Sequence, residues 1–393
     1  MKSNNSLLTV KELVKHFDIS GGLLDQLSLE NGRIVRKKTT VKAVNAVSFT
    51  IKLRETLGVV GESGCGKSTL ARAVMGLYPP NSGEIHYQDQ RIDQLSPQQM
   101  LPFRKKMQMI FQDPYASLNP RMTVNKILTE PVYFHHKSIT AQAARDKVAA
   151  VMRQVGVDPA WAGRYPHEFS GGQRQRISIA RALMVDPEFI VADEPVSALD
   201  VSIQAQIINL LAGLKRDLGL TYLFIAHDLA VVKHISDRIA VMSMGRLQQE
   251  GTPIAIYEQP VNRFVADFIG ETNFIQSTIA GIESGGARCT IGPGTTLGTG
   301  GTAGKGKGDA VTLAIRPEKI RLVKIDGGTE GLKGRVAECI YTGTDTNYQV
   351  DLEKSDVRLV VRGRNAITGE TLFKVGETVV LNVTEGAARI LAD

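Results

Sequence analysis

The stretch Gly61-Glu62-Ser63-Gly64-Cys65-Gly66-Lys67-Ser68 decides the fold. It satisfies the spacing G-x-x-x-x-G-K-[ST] in full, and its flanks have the matching character. An apolar run, Leu57 to Val60, precedes it, and a helix-prone segment, Thr69 to Met75, follows with Gly76 as its stop. The expected order is strand, loop, helix. Glycines let backbone N–H groups turn toward a triphosphate, and the N-terminus of the following helix adds positive partial charge. Lys67 then reaches the β and γ phosphates, and the Ser68 hydroxyl can ligate Mg²⁺. The competing reading is a glycine-rich turn before an ordinary helix, and the flanks argue against it.

Around this stretch the composition sets bounds. With 393 residues and 42% hydrophobic content, the chain suits two or three domains with sizeable cores. Met1 to Leu8 holds one lysine and no long apolar stretch, and no run of about 18 apolar residues occurs anywhere, so neither a signal peptide nor a membrane span is expected. Cys65, Cys289 and Cys339 show no C-x-x-C spacing, which speaks against a disulfide framework or a zinc site and fits a reducing cytosol. The net charge of +7 is compatible with nucleic acid or anionic lipid as a partner. The basic residues are spread rather than blocked, which favours a mildly basic soluble surface.

In chain order, Leu7 to Phe17 reads as an opening strand pair, and residues 18 to 37, with Gly21-Gly22 and Asn31-Gly32, as an inserted loop. Val41 to Leu53 alternates apolar and polar residues, the pattern of a half-buried strand, and Glu84 to Tyr87 is a short strand. From Ser96 to about Pro166 the pattern is helical, most clearly where Ala144, Val148, Val151, Met152 and Val155 share one face. Alternation of strand and helix then resumes with strand Phe189 to Ala192, helix Val201 to Leu214 and strand Tyr222 to Ala226. Short apolar strands between helices indicate a parallel sheet covered on both faces. Residues 285 to 308, rich in Gly and Thr, read as a flexible loop. The stretches 311–323, 333–341, 348–352, 357–361 and 378–383 read as strands of a small all-β unit, barrel or sandwich.

Three constellations carry chemistry. Phe189-Ile190-Val191-Ala192 ends in Asp193-Glu194, which puts Asp193 at the carboxyl edge of the sheet, where it can hold Mg²⁺ through water. Glu194 then points at the water that would attack the γ phosphate. Ser170-Gly171-Gly172-Gln173 opens the helix Arg174 to Leu183, a second anion site that the first loop cannot use on its own nucleotide; the plainer alternative is a helix cap. His227 follows an apolar strand directly.

The motif Phe169-Ser170-Gly171-Gly172-Gln173 resembles the signature of the ATP-binding-cassette (ABC) ATPases, with Phe169 where leucine is usual. The resemblance implies an α/β, P-loop (RecA-like) core with a helical subdomain, and ATP with Mg²⁺ as cofactors. Under it Gly61, Glu62, Ser63, Gly64, Cys65, Gly66, Lys67, Ser68 and Thr69 hold the phosphates, and Gln112 is the Q-loop glutamine that ligates Mg²⁺ and senses the membrane partner. Ser68 and Asp193 complete the metal site. Glu194 and His227 are catalytic, His227 as the switch histidine, and Ser197 to Asp200 looks like the D-loop. Two such domains, as homodimer or heterodimer, would sandwich two ATP molecules, each phosphate loop facing the other subunit's Ser170 to Gln173. Membrane-spanning permeases, docked near Gln112 to Arg121, and indirectly a solute-binding protein would be partners. The implied location is peripheral, at the cytoplasmic face of the cell (inner) membrane.

Residues 112 to 124, 165 to 183 and 193 to 232, with the insertion at 18 to 37, look like the oligopeptide and dipeptide importer branch, which imports peptides, nickel or related solutes. Residues 256 to 274 and 314 to 322 are instead similar to ATPases of polyamine and sugar importers, which carry an OB-like TOBE domain. The expected domains are 1–270, with the helical subdomain at about 96–180, and 271–393, with the Gly/Thr-rich loop at about 285–308. An aromatic on which adenine stacks is usual about 29 residues before the phosphate-loop lysine. That position is Lys38, so either Phe17 folds in across the loop or adenine packs on Val44 and lysine stems. A P-loop core with an OB-like domain and basic charge also describes ATPases acting on nucleic acid. The signature and the lack of aromatic-rich strands in residues 311–383 speak against that alternative, and no nucleic acid is expected as a partner.

Overall fold

The computed structural model describes residues 5–20, 27–30, 33–36, 39–136, 138–283, 285–292, 295–325, 331–353, 355–365 and 373–392. Contacts divide it into two compact units, Met1–Pro253 and Ile254–Asp393, whereas the sequence reading put a domain boundary at 270.

In the first unit a six-stranded sheet has the spatial order Arg246–Gly251, Arg238–Ser243, Thr56–Gly61, Thr221–Ile225, Phe189–Asp193, Met107–Ile110. All its pairings are parallel except that of Arg246–Gly251 with Arg238–Ser243. Thr56–Gly61, Phe189–Asp193 and Thr221–Ile225 are buried at every position, which explains their unbroken apolar runs: both faces are covered, and one core joins these strands to the helix Lys67–Val74 and to an antiparallel sheet. Each buried Leu, Ile, Val or Phe there contributes about 1.5–3 kcal/mol. Parallel pairing brings the carboxyl ends of these strands together, with Tyr222 opposite both Thr56 and Ile190. The loops that leave those ends therefore share one rim, where ligands bind in open parallel sheets.

A second sheet of the same unit runs Thr40–Lys52, Ser6–Asp18, Ser82–Tyr87, Gln90–Arg91, antiparallel throughout. Ser6–Asp18 is one long strand and not the expected pair; bulges along it, with Glu12 at φ 46°, break the alternation on which that reading relied. Within the insertion at 18 to 37 the described residues form a hairpin, Leu27–Glu30 with Arg33–Arg36, where a loop was expected. Its turn glycines and Lys38 lie outside the described residues.

The span from Ser96 is not wholly helical either. After the helix Pro97–Lys106 the strand Met107–Ile110 closes the edge of the parallel sheet, and helices Val124–His135, Ala141–Gln154 and Gly171–Leu183 follow. Ala144, Val148, Val151 and Met152 are buried, the face that the spacing predicts.

The second unit is built on two five-stranded sheets and the helices Pro253–Glu258 and Arg263–Ile269. One sheet orders Thr295–Gly298, Gly286–Gly292, Asn273–Glu283, Ala310–Ile315, Arg389–Ile390; the other orders Ile320–Lys324, Thr378–Val383, Leu332–Tyr341, Asp345–Leu352, Arg358–Arg364. Residues 285–308 thus carry two strands where a flexible loop was expected. Ala287, Cys289 and Ile291 point inward at alternate positions, a pattern hidden by the surrounding glycines and threonines. Buried Arg316 explains why the helices group with this unit. Its guanidinium donates to the carbonyls of Ala266 (2.9 Å), Gly270 (2.6 Å) and Tyr257 (3.2 Å) and stacks on the Tyr257 ring. Tyr348 is 3% exposed and belongs to the core, while Arg362 pairs with Glu271 at 2.6 Å.

Candidate functional site

The phosphate loop leaves the carboxyl end of Thr56–Gly61 and enters the helix Lys67–Val74. Gly66 sits at the N-cap with φ 107°, and a Cβ there would lie 1.9 Å from the carbonyl oxygen of Ala43, so only glycine fits. No side chain caps this helix. The N–H groups of its first turn, including those of Ser68 and Thr69, have no intrahelical acceptor and present a site for an anion. Lys67 is 4% exposed, and its ammonium donates to the carbonyls of Gly61 and Glu62, each at 2.8 Å. Cys65 is buried behind it, and burial raises its thiol pKa.

Ser68 Oγ lies 2.8 Å from Asp193 Oδ1, which joins the loop to the end of Phe189–Asp193. Asp193 is 1% exposed. Burial raises its pKa, opposed by the Ser68 hydrogen bond and the charge of Arg72. A hydroxyl and a carboxylate side by side are hard oxygen donors that suit Mg²⁺. The buried carboxylate is also a group that a bound cation would compensate. The residues therefore fit a metal-bound triphosphate.

Glu194, next along, has φ 46°, a conformation that costs a non-glycine residue of order 1 kcal/mol and that clusters at functional sites. Its backbone is held by a bond from its N–H to the Ile225 carbonyl (3.0 Å) and one from Ser197 Oγ to its own carbonyl (3.1 Å). The turn aims the carboxylate at two predicted residues. Gln112 Nε2 donates to Glu194 Oε2 at 2.9 Å, and His227 Nδ1 lies 3.7 Å from the same oxygen. Beside them a cleft of about 40 Å³, lined by Glu194, Ser197, Gln204 and His227 among others, has room for water, which needs about 10–15 Å³.

Ser170 to Gln173 stands apart. Ser170 Oγ accepts from Gln173 N at 3.4 Å, and Gln173 Oε1 accepts from Ser170 N at 3.0 Å, a capping box on the helix Gly171–Leu183. Gly172 lets the helix approach its neighbour, since a Cβ would meet Ile203 Cγ2 at 2.6 Å. Among the described residues no hydrogen bond or ion pair joins 170–173 to the phosphate loop. Asp200 caps the helix Val201–Leu218 by accepting from Ile203 N (3.0 Å) and Ser202 Oγ (2.9 Å), and these bonds lower its pKa.

Of the adenine options, Val44 is 0% exposed and offers no face to a base. Phe17 is half-buried, 5.1 Å from Lys15 Nζ and edge-on to Tyr78 at 5.5 Å. Sequence reasoning passed over Tyr115 and Arg174. The Arg174 guanidinium packs 3.8 Å from the centre of the Tyr115 ring and donates to the Phe169 carbonyl at 2.5 Å. The aromatic beside Gln112-Asp113-Pro114 was the available signal.

The chain is similar to known proteins. The family described as "ABC transporter" matches residues 44–197, and "TOBE domain" matches 313–391. The oligopeptide transport ATP-binding protein OppF of Haemophilus influenzae is 51% identical over 65% of this chain and 75% of its own. AppF of Bacillus subtilis, also an oligopeptide transport ATP-binding protein, is 49% identical over 67% of this chain and 77% of its own, and the dipeptide transport ATP-binding protein DppF of H. influenzae is 44% identical over 69% and 80%. Among solved structures, the dimeric post-hydrolysis state of the ATP-binding cassette MJ0796 bound to ADP and Pi superimposes with a TM-score of 0.54 at 26% identity, over 62% of this chain and 98% of that one.

Proposed function

The chain belongs to the ABC transporter family, and from that premise we propose that it is the ATP-hydrolysing subunit of an importer of peptide-type solutes. It is an ABC-type ATPase carrying a TOBE domain. The peptide class comes from the function of the relatives, which align with about two thirds of this chain. Polyamine, sugar and nickel remain the alternative substrates, because the TOBE domain resembles that of other importers. No described helix is long and apolar enough to cross a membrane, and in this reading partner permeases carry the solute through the bilayer. In this reading residues 1–270 form the nucleotide-binding domain, with its helical subdomain at about 96–180, and 271–393 the β domain. The subunit works at the cytoplasmic face of the membrane, fed indirectly by a solute-binding protein.

The geometry supports the following roles. Lys67 exchanges the Gly61 and Glu62 carbonyls for phosphate oxygens, while the uncapped helix N-terminus holds the remaining charge. Ser68, Asp193 and Gln112 would hold Mg²⁺, which when bound neutralises charge developing on the transferred phosphoryl group. Glu194 Oε2 accepts from Gln112, with His227 Nδ1 3.7 Å away, so Oε1 is left to take the proton from an attacking water. Ser170 to Gln173 serves the nucleotide of a second copy, a reading supported by the fact that among the described residues no hydrogen bond or ion pair joins it to the loop of its own chain. A dimer therefore holds two ATP between its subunits.

The observation that carries the proposal is the pairing of Ser68 with Asp193 directly before the bent Glu194 and its Gln112 and His227 partners. Glu194→Gln is expected to lower ATP turnover by about 10²–10⁴-fold and to leave a stable dimer in ATP, seen by size-exclusion chromatography. Turnover at the parental rate would refute the assigned base, and failure to dimerise would refute the two-copy site.

A further inference from the structure

Arg174 is 9% exposed, yet no ion pair among the described residues includes it, and its Nε has no hydrogen-bond partner. A buried cation without a carboxylate is costly. Here two groups meet it: the Phe169 carbonyl, 2.5 Å from Nη1, and the face of Tyr115, 3.8 Å from the guanidinium carbon. Phe169 is itself 4% exposed and edges against Trp161 at 6.1 Å. The bond to its carbonyl therefore fixes the peptide that leads into Ser170.

Tyr115 stands on the turn that follows Gln112. Asp113 Oδ1 accepts from Tyr115 N at 2.7 Å, and the far end of the turn is tied to the same helix as Arg174, with Arg181 Nη1 donating to the Ser117 carbonyl at 2.6 Å and Ser117 Oγ 3.4 Å from Ser178 Oγ. Gln112 in turn holds Glu194. One continuous set of contacts thus runs from the base of a subunit's own site to the serine it would lend to its partner. We propose that Tyr115 and Arg174 are a positioning pair: the ring holds the guanidinium over the Phe169 carbonyl and so orients Ser170 for the second copy's nucleotide. The inference rests on the two-copy site proposed above.

The test uses the full chain in the Glu194→Gln background, titrated with Mg-ATP and followed by size-exclusion chromatography with light scattering. Tyr115→Leu removes the π face at an exposed position, 58% accessible, so the melting temperature should hold. The ATP concentration for half-dimerisation should rise about tenfold, the scale of a partly buried cation–π contact, while nucleotide affinity at the subunit's own loop, measured on dilute monomer, stays unchanged. Tyr115→Phe should restore dimerisation. Arg174→Lys, which keeps charge without a planar guanidinium, should behave like Tyr115→Leu. With Glu194 intact, Tyr115→Leu should lower the Hill coefficient for ATP. Parental dimerisation by Tyr115→Leu, or failure of phenylalanine to rescue, overturns the positioning role. A Glu194→Gln chain that does not dimerise with Tyr115 intact overturns the two-copy site instead.

Discussion

Asp193 shows how one carboxyl can work against the fold that holds it. Burial raises its pKa, so the folded chain holds that proton more tightly than the unfolded chain does. The linkage favours the fold at pH below the shift and costs stability as pH rises through the folded pKa. At neutral pH, without metal or nucleotide, Asp193→Asn should therefore raise the melting temperature and abolish the further rise caused by Mg-ATP; differential scanning fluorimetry reads both. For the same reason the parent's affinity for Mg²⁺ should fall, as pH drops, earlier than for an ordinary aspartate. The identity of this residue was legible from four apolar positions ending in Asp-Glu. The burial of Val44 was not, because alternation in a strand shows which residues share a face and not which face is covered.

Among elements, the phosphate loop was the most legible, since a backbone shape that admits only glycine leaves a chemical trace at fixed spacing. Gly66→Ala puts a Cβ on the Ala43 carbonyl at φ 107°, and neither backbone can yield cheaply. Calorimetric titration should show ATP affinity falling more than tenfold, and urea melts a destabilisation of about 1–3 kcal/mol. Gly213→Ala, inside the helix Val201–Leu218, meets nothing within 4 Å and serves as the tolerated control. Met107–Ile110 was lost inside a helical stretch because four residues fit either periodicity; parallel pairing to Phe189–Asp193, distant in sequence, decides its state. The strand Gly286–Gly292 was hidden for the opposite reason, its glycines and threonines reading as loop although Ala287, Cys289 and Ile291 fill the core.

For the whole molecule, the two units draw on different resources. The first rests on a parallel sheet buried on both faces, whereas the second depends in part on Arg316, 6% exposed, which satisfies carbonyls at the end of the helix Arg263–Ile269. Arg316→Met should leave the Ala266 and Gly270 carbonyls to share the Thr272 hydroxyl and destabilise the second unit by about 1–3 kcal/mol in a denaturant melt, with ATP affinity unchanged because every phosphate-loop residue lies in the first. Sequence spacing carried the nucleotide site further than it carried this clamp, since Arg316 acts on backbone atoms that leave no side-chain signature. The capping box at Ser170 has a consequence of another kind. Its oxygen is already occupied by Gln173 N, while its hydrogen stays free to be donated. Aspartate or asparagine would cap the helix equally well, but aspartate would set a negative charge against an anion and neither supplies a hydroxyl. Good yield and a normal melt would therefore certify such a protein as sound while its partner's site stood empty-handed: at this position quality of folding and competence are separate inheritances.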